Sequence, residues 1–340
     1  MLVLMSTYNG VDYLAEQVES IRRQTYTGWD LLVRDDGSTD GTVALLDRMA
    51  AADTRIVRLV DDAGNLGPAQ SFGVLMQAAL TRDATYIAFA DQDDVWDADK
   101  LAVQLEAMAE RERTAGADAP ILVHTDLRVV DERLRLIHPS FLTFQGLGTD
   151  GHPLRQLLTQ NFVTGCSTLV NRPLLRLALP LPAVVMHDWW LALCAAAQGE
   201  VVRVPKTTAL YRQHARNAAG SRGRVRAALG ALRRPGRWWR QTSRAFRETV
   251  AQARALDSRL SAAKGDGQPA QNAECAEHAE TRAVVRAYCQ AFSPDTGRLE
   301  RLRLIRHHGV RPRSAVRYPA LFYARVALWS PGPGDGRDAR

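Results

Sequence analysis

Tyr86-Ile87-Ala88-Phe89-Ala90-Asp91-Gln92-Asp93-Asp94-Val95-Trp96 joins five apolar residues directly to three carboxylates. An apolar run of that length suits a strand buried on both faces, with the acids at its carboxyl end. Residues two apart on an extended chain project to the same side, so Asp91 and Asp93 can reach one ion together. Hard carboxylate oxygens suit Mg²⁺ or Mn²⁺, which keep several waters and complete their shell with substrate phosphates. The same residues also suit a polar loop in which Asp94 or Asp97 caps the next helix.

Working outward, strand-like runs at 2–5, 31–33 and 56–60 alternate with helix-like runs at 12–23, 41–51 and 68–80, and a further helix is expected at 98–111. Leu14, Val18 and Ile21 share one face of the first helix. The alternation predicts a parallel, doubly wound sheet. Ligands of such sheets sit beyond the carboxyl ends of the strands, where Ser6 to Asn9, Asp35 to Asp40 and Asp91 to Asp94 all fall. Asp35 to Asp40 equally suit a turn and helix N-cap. Beyond residue 120 the pattern predicts strands at 121–130 and 162–170, a loop-rich stretch at 146–151 and an apolar helix at 189–197. After about Arg222 the chain is mostly helix-forming, broken at Pro235 and at 264–271, and it ends in a Pro/Gly tail.

The 340 residues are 46% apolar, enough for a substantial core, yet no 18-residue apolar run occurs. The opening apolar run is short and has no basic flank or cleavage site, so it reads as a buried strand. Cys166, Cys194, Cys275 and Cys289 are scattered, which suggests neither a disulfide framework nor a zinc site and fits a reducing compartment. The net charge of +7 is uneven: eleven arginines fall between Ser221 and Leu260 against Glu248 and Asp257. An acidic partner for that segment is expected.

The ordered series Ser6-Thr7-Tyr8-Asn9-Gly10, Asp35-Asp36-Gly37-Ser38-Thr39-Asp40, Asn65-Leu66-Gly67 and Asp91-Gln92-Asp93-Asp94-Val95-Trp96 resembles glycosyltransferase family 2. With His187-Asp188-Trp189-Trp190 and Tyr211-Arg212-Gln213-His214-Ala215-Arg216-Asn217, it is similar to bacterial polysaccharide rhamnosyltransferases. The resemblance covers about residues 1–217. It implies an α/β fold, a GT-A type doubly wound mixed sheet with a helical C-terminal extension. The catalytic domain would be 1–217, with a nucleotide-sugar-binding half to about 120 and an acceptor-side half at 121–217. A basic extension at 218–330 and a flexible tail at 331–340 would follow.

By matching motifs, Ser6, Thr7 and Tyr8 would line the base pocket. Asp36 would accept the N3–H of uracil or thymine, which implies a pyrimidine donor, a dTDP- or UDP-sugar. Asp93 would be the principal metal ligand, with Asp91 in the metal shell or on the ribose, and His214 would close on the metal or diphosphate. Gly165 would sit beside the donor sugar, where the absence of a Cβ permits close approach. Asp188 would be the base of an inverting transfer, and Trp189 would offer the acceptor a stacking face, Trp190 being the core member of the pair. Related sequences tend to carry Asn where Ser71 stands.

The implied reaction is metal-dependent transfer of a sugar, L-rhamnose from dTDP-L-rhamnose, to a saccharide or lipid-linked saccharide in cell-surface polysaccharide synthesis. The expected location is cytoplasmic, peripheral at the inner face of the cell membrane. An anionic membrane surface would meet the arginines around Trp238 and Trp239 and a second segment at 318–329. Two rivals remain. A haloacid dehalogenase-type phosphatase would use Asp91 as nucleophile and require a lysine such as Lys206. An anionic-membrane or nucleic-acid binder would use the basic span alone, although no nucleic-acid motif is present and nucleic acid is not an expected partner.

Overall fold

The computed structural model describes residues 1–148, 151–214, 235–262, 273–312 and 318–329, without the side chains of 235–242, 245, 273–278 and 318–321. The arginines at 222–234, Asn217, the side chains of Trp238 and Trp239, and the 331–340 tail, all singled out from the sequence, therefore lie outside the described residues or side chains. Two compact units emerge. One comprises Met1–Phe144, Val163–Ala195 and Gly199–Ser221; the other comprises Gln145–Phe162, Ala196–Gln198 and Arg222–Arg340.

The first unit is built on a mixed sheet of nine strands in the order β3-β2-β1-β4-β8-β6-β9-β5, with β7 beside β6. Strands β1 (Leu2–Thr7), β2 (Asp30–Asp35), β3 (Ile56–Leu59) and β4 (Tyr86–Ala90) are mutually parallel. Leu4 of β1 pairs with Leu32 on one side and Phe89 on the other, and the successive residues Leu2 to Met5 are all buried, as a strand covered on both faces requires. Helices α1 (Leu14–Arg22), α2 (Thr42–Ala52) and α3 (Pro68–Leu80) make the crossovers. Leu14, Val18 and Ile21 are buried in the core with Val3, Met5 and Leu31, as their helical spacing predicts.

Past β4 the sheet stops being parallel. After the two-residue β5 (Val95–Trp96) and helix α4 (Lys100–Ala115) comes β6 (Ile121–Val130), which pairs with the short β7 (Leu136–His138). Strand β8 (Thr168–Asn171) is antiparallel to both β4 and β6. The strand predicted at 162–170 is thus shorter, because Gly165–Ser167 form a 3₁₀ turn first. Helices α5 (Phe141–Gln145) and α6 (Pro153–Leu157) lie between β7 and this turn, and α7 (Arg172–Ala178) and α8 (His187–Gln198) follow β8. Strand β9 (Glu200–Arg212), which the sequence pattern did not announce, runs parallel to β6 and antiparallel to β5.

The second unit holds α9 (Pro235–Ala262), α10 (Ala273–Ala291), α11 (Arg298–His307) and α12 (Tyr318–Leu328). Leu256, Val285, Tyr288, Phe292, Ile305 and Val326 are buried, and Phe292 meets Phe246 and Trp329 edge-on. Phe322 and Val326 are therefore taken up by helix packing, and among the described side chains of this helix Ala324 and Leu328 are exposed. Among the described residues no helix is long and apolar enough to cross a membrane.

Candidate active site

The carboxyl ends of β1, β2 and β4 open on a cavity of about 280 Å³ whose lining includes Ser6, Tyr8, Asp36, Asp91, Asp93 and Tyr211. Thr7 also borders it, but its hydroxyl donates to Asp35 (2.9 Å). Asp35 further accepts from the backbone of Gly37 and Ser38, so it holds the β2 turn together. Tyr8 is half-exposed, and its backbone is gripped by Gln92, whose Oε1 accepts from Tyr8 N (2.9 Å) while its Nε2 donates to Tyr8 O (3.0 Å). A Cβ on Gly10 would overlap that amide, which is the local reason for glycine there.

Asp36 is almost fully buried. Its Oδ1 accepts from Leu66 N (2.8 Å) and Arg34 Nη1 (2.5 Å), and its Oδ2 accepts from Gly67 N (2.8 Å). Gly67 has φ 75°, a conformation that disfavours any side chain, and it places Pro68 at the first turn of α3. Ser71 keeps a polar role without the amide of related sequences: it bonds Ser6 Oγ (2.6 Å) and accepts from Arg34 (2.9 Å).

The acidic cluster is completed by the end of β9. Pairing of Val95 and Trp96 with Leu210 and Ala209 lays Tyr211 to His214 alongside Asp93 and Asp94. Arg212 is buried, and its backbone N–H donates to Asp94 Oδ1 (3.1 Å) and its Nε to Asp93 O (2.8 Å). His214 Nε2 and Asp93 Oδ2 are 2.6 Å apart, and the imidazole stacks on Tyr13 with centroids 4.8 Å apart. A carboxylate oxygen of Asp91, one of Asp94 and the Cys166 Sγ lie within 4.8 Å of one another.

Burial, then repulsion from Asp93 and Asp188, pushes Asp91 up to about 7. Burial and the neighbouring Asp93 and Asp91 raise Asp94 well above the carboxylate range. Asp94 Oδ2 is buried without a hydrogen-bond partner. Asp91 is thus grouped with Asp94 and Cys166, while Asp93 pairs with His214 beside them; carboxylates that repel one another fit a hard divalent cation.

Asp188 opens α8, only 7% exposed; Oδ2 accepts from Gly165 N (2.8 Å) and Oδ1 from Trp189 N (2.6 Å). A Cβ on Gly165 would come 3.1 Å from His187 Nε2, so the close approach at this glycine is to α8. His187 is buried against Phe72, ring centroids 3.9 Å apart, and burial lowers its pKa to about 3, which keeps it neutral. Trp189 is half-buried, while Trp190 is fully buried and donates Nε1–H to Ala178 O (2.8 Å). Asp188, Gly165 and Trp189 do not border the cavity, although Met186 just before them does. Sequence reasoning gave Gln92 and Arg34 no role and read Ser71 only as a departure from related sequences; a polar residue on the inward face of α3 was the available signal for its hydrogen bonds.

A model of glycosyl transferase family 2 matches residues 2–176. The Bacillus subtilis protein TuaG, named for teichuronic acid biosynthesis, is 32% identical over 169 residues, 49% of this chain and 60% of that protein. The chain thus spans about 60% of that relative's length. A Shigella flexneri protein named dTDP-rhamnosyl transferase RfbG is 24% identical over 252 residues, 70% of this chain and 81% of that one. Residues 1–349 of S. aureus TarS, solved with UDP-GlcNAc, share the fold with TM-score 0.52 and 14% identity, over 89% of this chain and 78% of that one. With just over half its length matched by the family model, and with the mixed α/β sheet and the acidic strand end in place, the chain belongs to glycosyl transferase family 2.

Proposed function

We propose that this protein transfers a sugar, with inversion, from a pyrimidine nucleotide diphosphate to a saccharide or lipid-linked saccharide acceptor. The carrying observation is the convergence of Asp91 and Asp93, with His214 docked on Asp93, upon a cavity that Ser6, Tyr8 and Asp36 also line. Asp91, Asp93 and His214 would hold Mg²⁺ or Mn²⁺, which would neutralise charge on the leaving diphosphate. The name of the Shigella relative favours a dTDP-rhamnose donor; the motif resemblance supports dTDP-L-rhamnose as that donor and cell-surface polysaccharide as the product. Catalysis is assigned to residues 1–217, with 218–330 a helical extension and 331–340 a tail, working at the cytoplasmic face of the membrane. Lys206, the lysine named for the phosphatase rival, does not border the cavity and pairs with Asp99 (2.5 Å) on an exposed stretch.

In this reaction the acceptor oxygen bonds to the anomeric carbon as the bond from that carbon to the diphosphate oxygen breaks, and the nucleotide diphosphate departs from the opposite face. The acceptor proton passes to Asp188, whose two backbone donors fix its carboxylate. Trp189, the next residue, would stack on the acceptor sugar, and Gly165 would leave room for the donor sugar. Purified protein is to be tested against dTDP-, UDP- and GDP-sugars with Mn²⁺ or Mg²⁺. Turnover of a dTDP- or UDP-sugar is expected, with Asp188→Asn retaining donor binding and losing about 100-fold or more in kcat. Normal turnover per bound donor in that variant would remove Asp188 from the mechanism.

A further inference from the structure

Beneath the cavity, Arg34 gathers three surrounding elements. It is 1% exposed, donating Nη1 to Asp36 Oδ1 (2.5 Å) and to Ser71 Oγ (2.9 Å) on α3. Its Nη2 donates to Gly64 O (2.8 Å), and Nε and Nη2 clasp Asp61 at 2.7 and 3.1 Å. Ser71 carries the network on to Ser6 of β1. Apart from Asp61, each of these partners is, or directly neighbours in sequence, a residue that lines the cavity.

A carboxylate has about four acceptor positions. At Asp36, Arg34 and Leu66 N take both on Oδ1, and Gly67 N takes one on Oδ2. One position remains, on a residue that borders the cavity. We propose that Arg34 is a positioning residue that sets base selectivity, by filling Asp36 Oδ1 so that the carboxylate can receive a single N–H donor. The inference rests on the reading of this cavity as a nucleotide site.

The chemistry of the bases makes that restriction selective. Uracil and thymine present one ring N–H between two carbonyls, which one acceptor position satisfies. Guanine presents a ring N–H and an exocyclic amine side by side, and a carboxylate serves both only with an open position on each oxygen. With Oδ1 filled, one guanine donor would be left unpaired. Adenine and cytosine have no ring N–H at that edge; there only their exocyclic amine could donate, beside a ring-nitrogen lone pair that the acceptor would repel. A guanidinium does this where an ammonium would not, because its planar fork spans Asp36, Asp61, Ser71 and Gly64 at once.

The test is calorimetric titration of the full chain with UDP, dTDP and GDP in the presence of Mn²⁺, for wild type, Arg34→Lys and Asp61→Asn. Wild type is expected to prefer UDP and dTDP over GDP. Arg34→Lys is expected to reduce that preference about tenfold or more, the scale of one unpaired buried donor. Asp61→Asn, whose side chain is a quarter exposed and lies outside the cavity lining, should shift the preference the same way by a smaller factor. A merely structural role would weaken all three nucleotides in equal proportion, and a preserved preference in folded Arg34→Lys overturns the assignment. If that variant does not fold, an unchanged preference in Asp61→Asn overturns it instead. Wild type binding none of the three would sink the nucleotide reading and this inference with it, whereas a selective wild type with equally selective variants sinks only the role of Arg34.

Discussion

At the scale of single residues, the site is organised by side chains that grip backbone. Gln92 ties the strand-end acids to Tyr8, and Gly10 leaves it the room. Gly10→Ala is expected to displace the Gln92 amide and to cost about 1–3 kcal/mol, the usual scale of overpacking. Because Gln92→Ala removes the same contact by another route, the double variant should lose clearly less than the sum of the two. Urea denaturation of the three variants checks this; strict additivity would mean that Gly10 and Gln92 act separately. Asp93 is the second residue to probe. Asp93→Ala is expected to abolish metal-dependent donor binding, since the diphosphate charge would then lack a carboxylate-held counter-ion. Undiminished Mn²⁺-dependent nucleotide affinity in this variant would exclude Asp93 as a ligand.

Among elements, α2 and β3 are joined by a charged corner. Asp53, just past α2, is bonded by Arg55 through both oxygens (3.0 and 2.9 Å) and by Arg22 (3.3 Å). The Arg55 hydrogen bond, foremost, holds Asp53 down at about 2. A carboxyl lowered on folding contributes stability above its unfolded pKa, near 3.9, and loses it as pH falls through the folded value. Asp53→Asn should therefore lower the denaturation midpoint at pH 7, with the gap from wild type closing between about pH 4 and pH 2. A gap that stays constant across that window would show that the asparagine acts by packing alone. The same charged corner orients β3 at the sheet edge, one strand from the turn that carries Asp35 and Asp36.

For the whole molecule, the excess of positive charge is the property that no single element explains. In the helical unit Arg298, Arg303, Arg306 and Arg311 are exposed, and the chain carries +7 overall. Each such charge near an anionic leaflet is worth about 1 kcal/mol, and salt screens it. Binding to vesicles containing phosphatidylglycerol is therefore expected at low salt and should fall steeply as salt rises. Replacing Arg298, Arg303 and Arg306 by Gln should weaken it while transfer to a soluble acceptor continues. Co-sedimentation measures both, and equal partitioning onto neutral and anionic vesicles would rule out the electrostatic account.

By itself the sequence determined the first half of the sheet and the acidic strand end. Apolar runs such as Leu2 to Met5 and Tyr86 to Ala90 are strong local signals because strands covered on both faces must be apolar throughout. The acids after β4 were legible for the same reason, since the strand dictates where they emerge. Strand β9 was not, as Arg203, Pro205 and Lys206 interrupt its pattern on a partly exposed stretch. Only its pairing with β5 and β6 makes it a strand, and that pairing alone carries His214 across 121 positions to Asp93. Tertiary structure likewise decided that Asp36 is nearly saturated, that Ser71 links Arg34 to Ser6, and that Gly165 faces His187. Local patterning specifies which surface a residue turns inward, but hydrogen bonds between distant segments exist only once the sheet has brought those segments together.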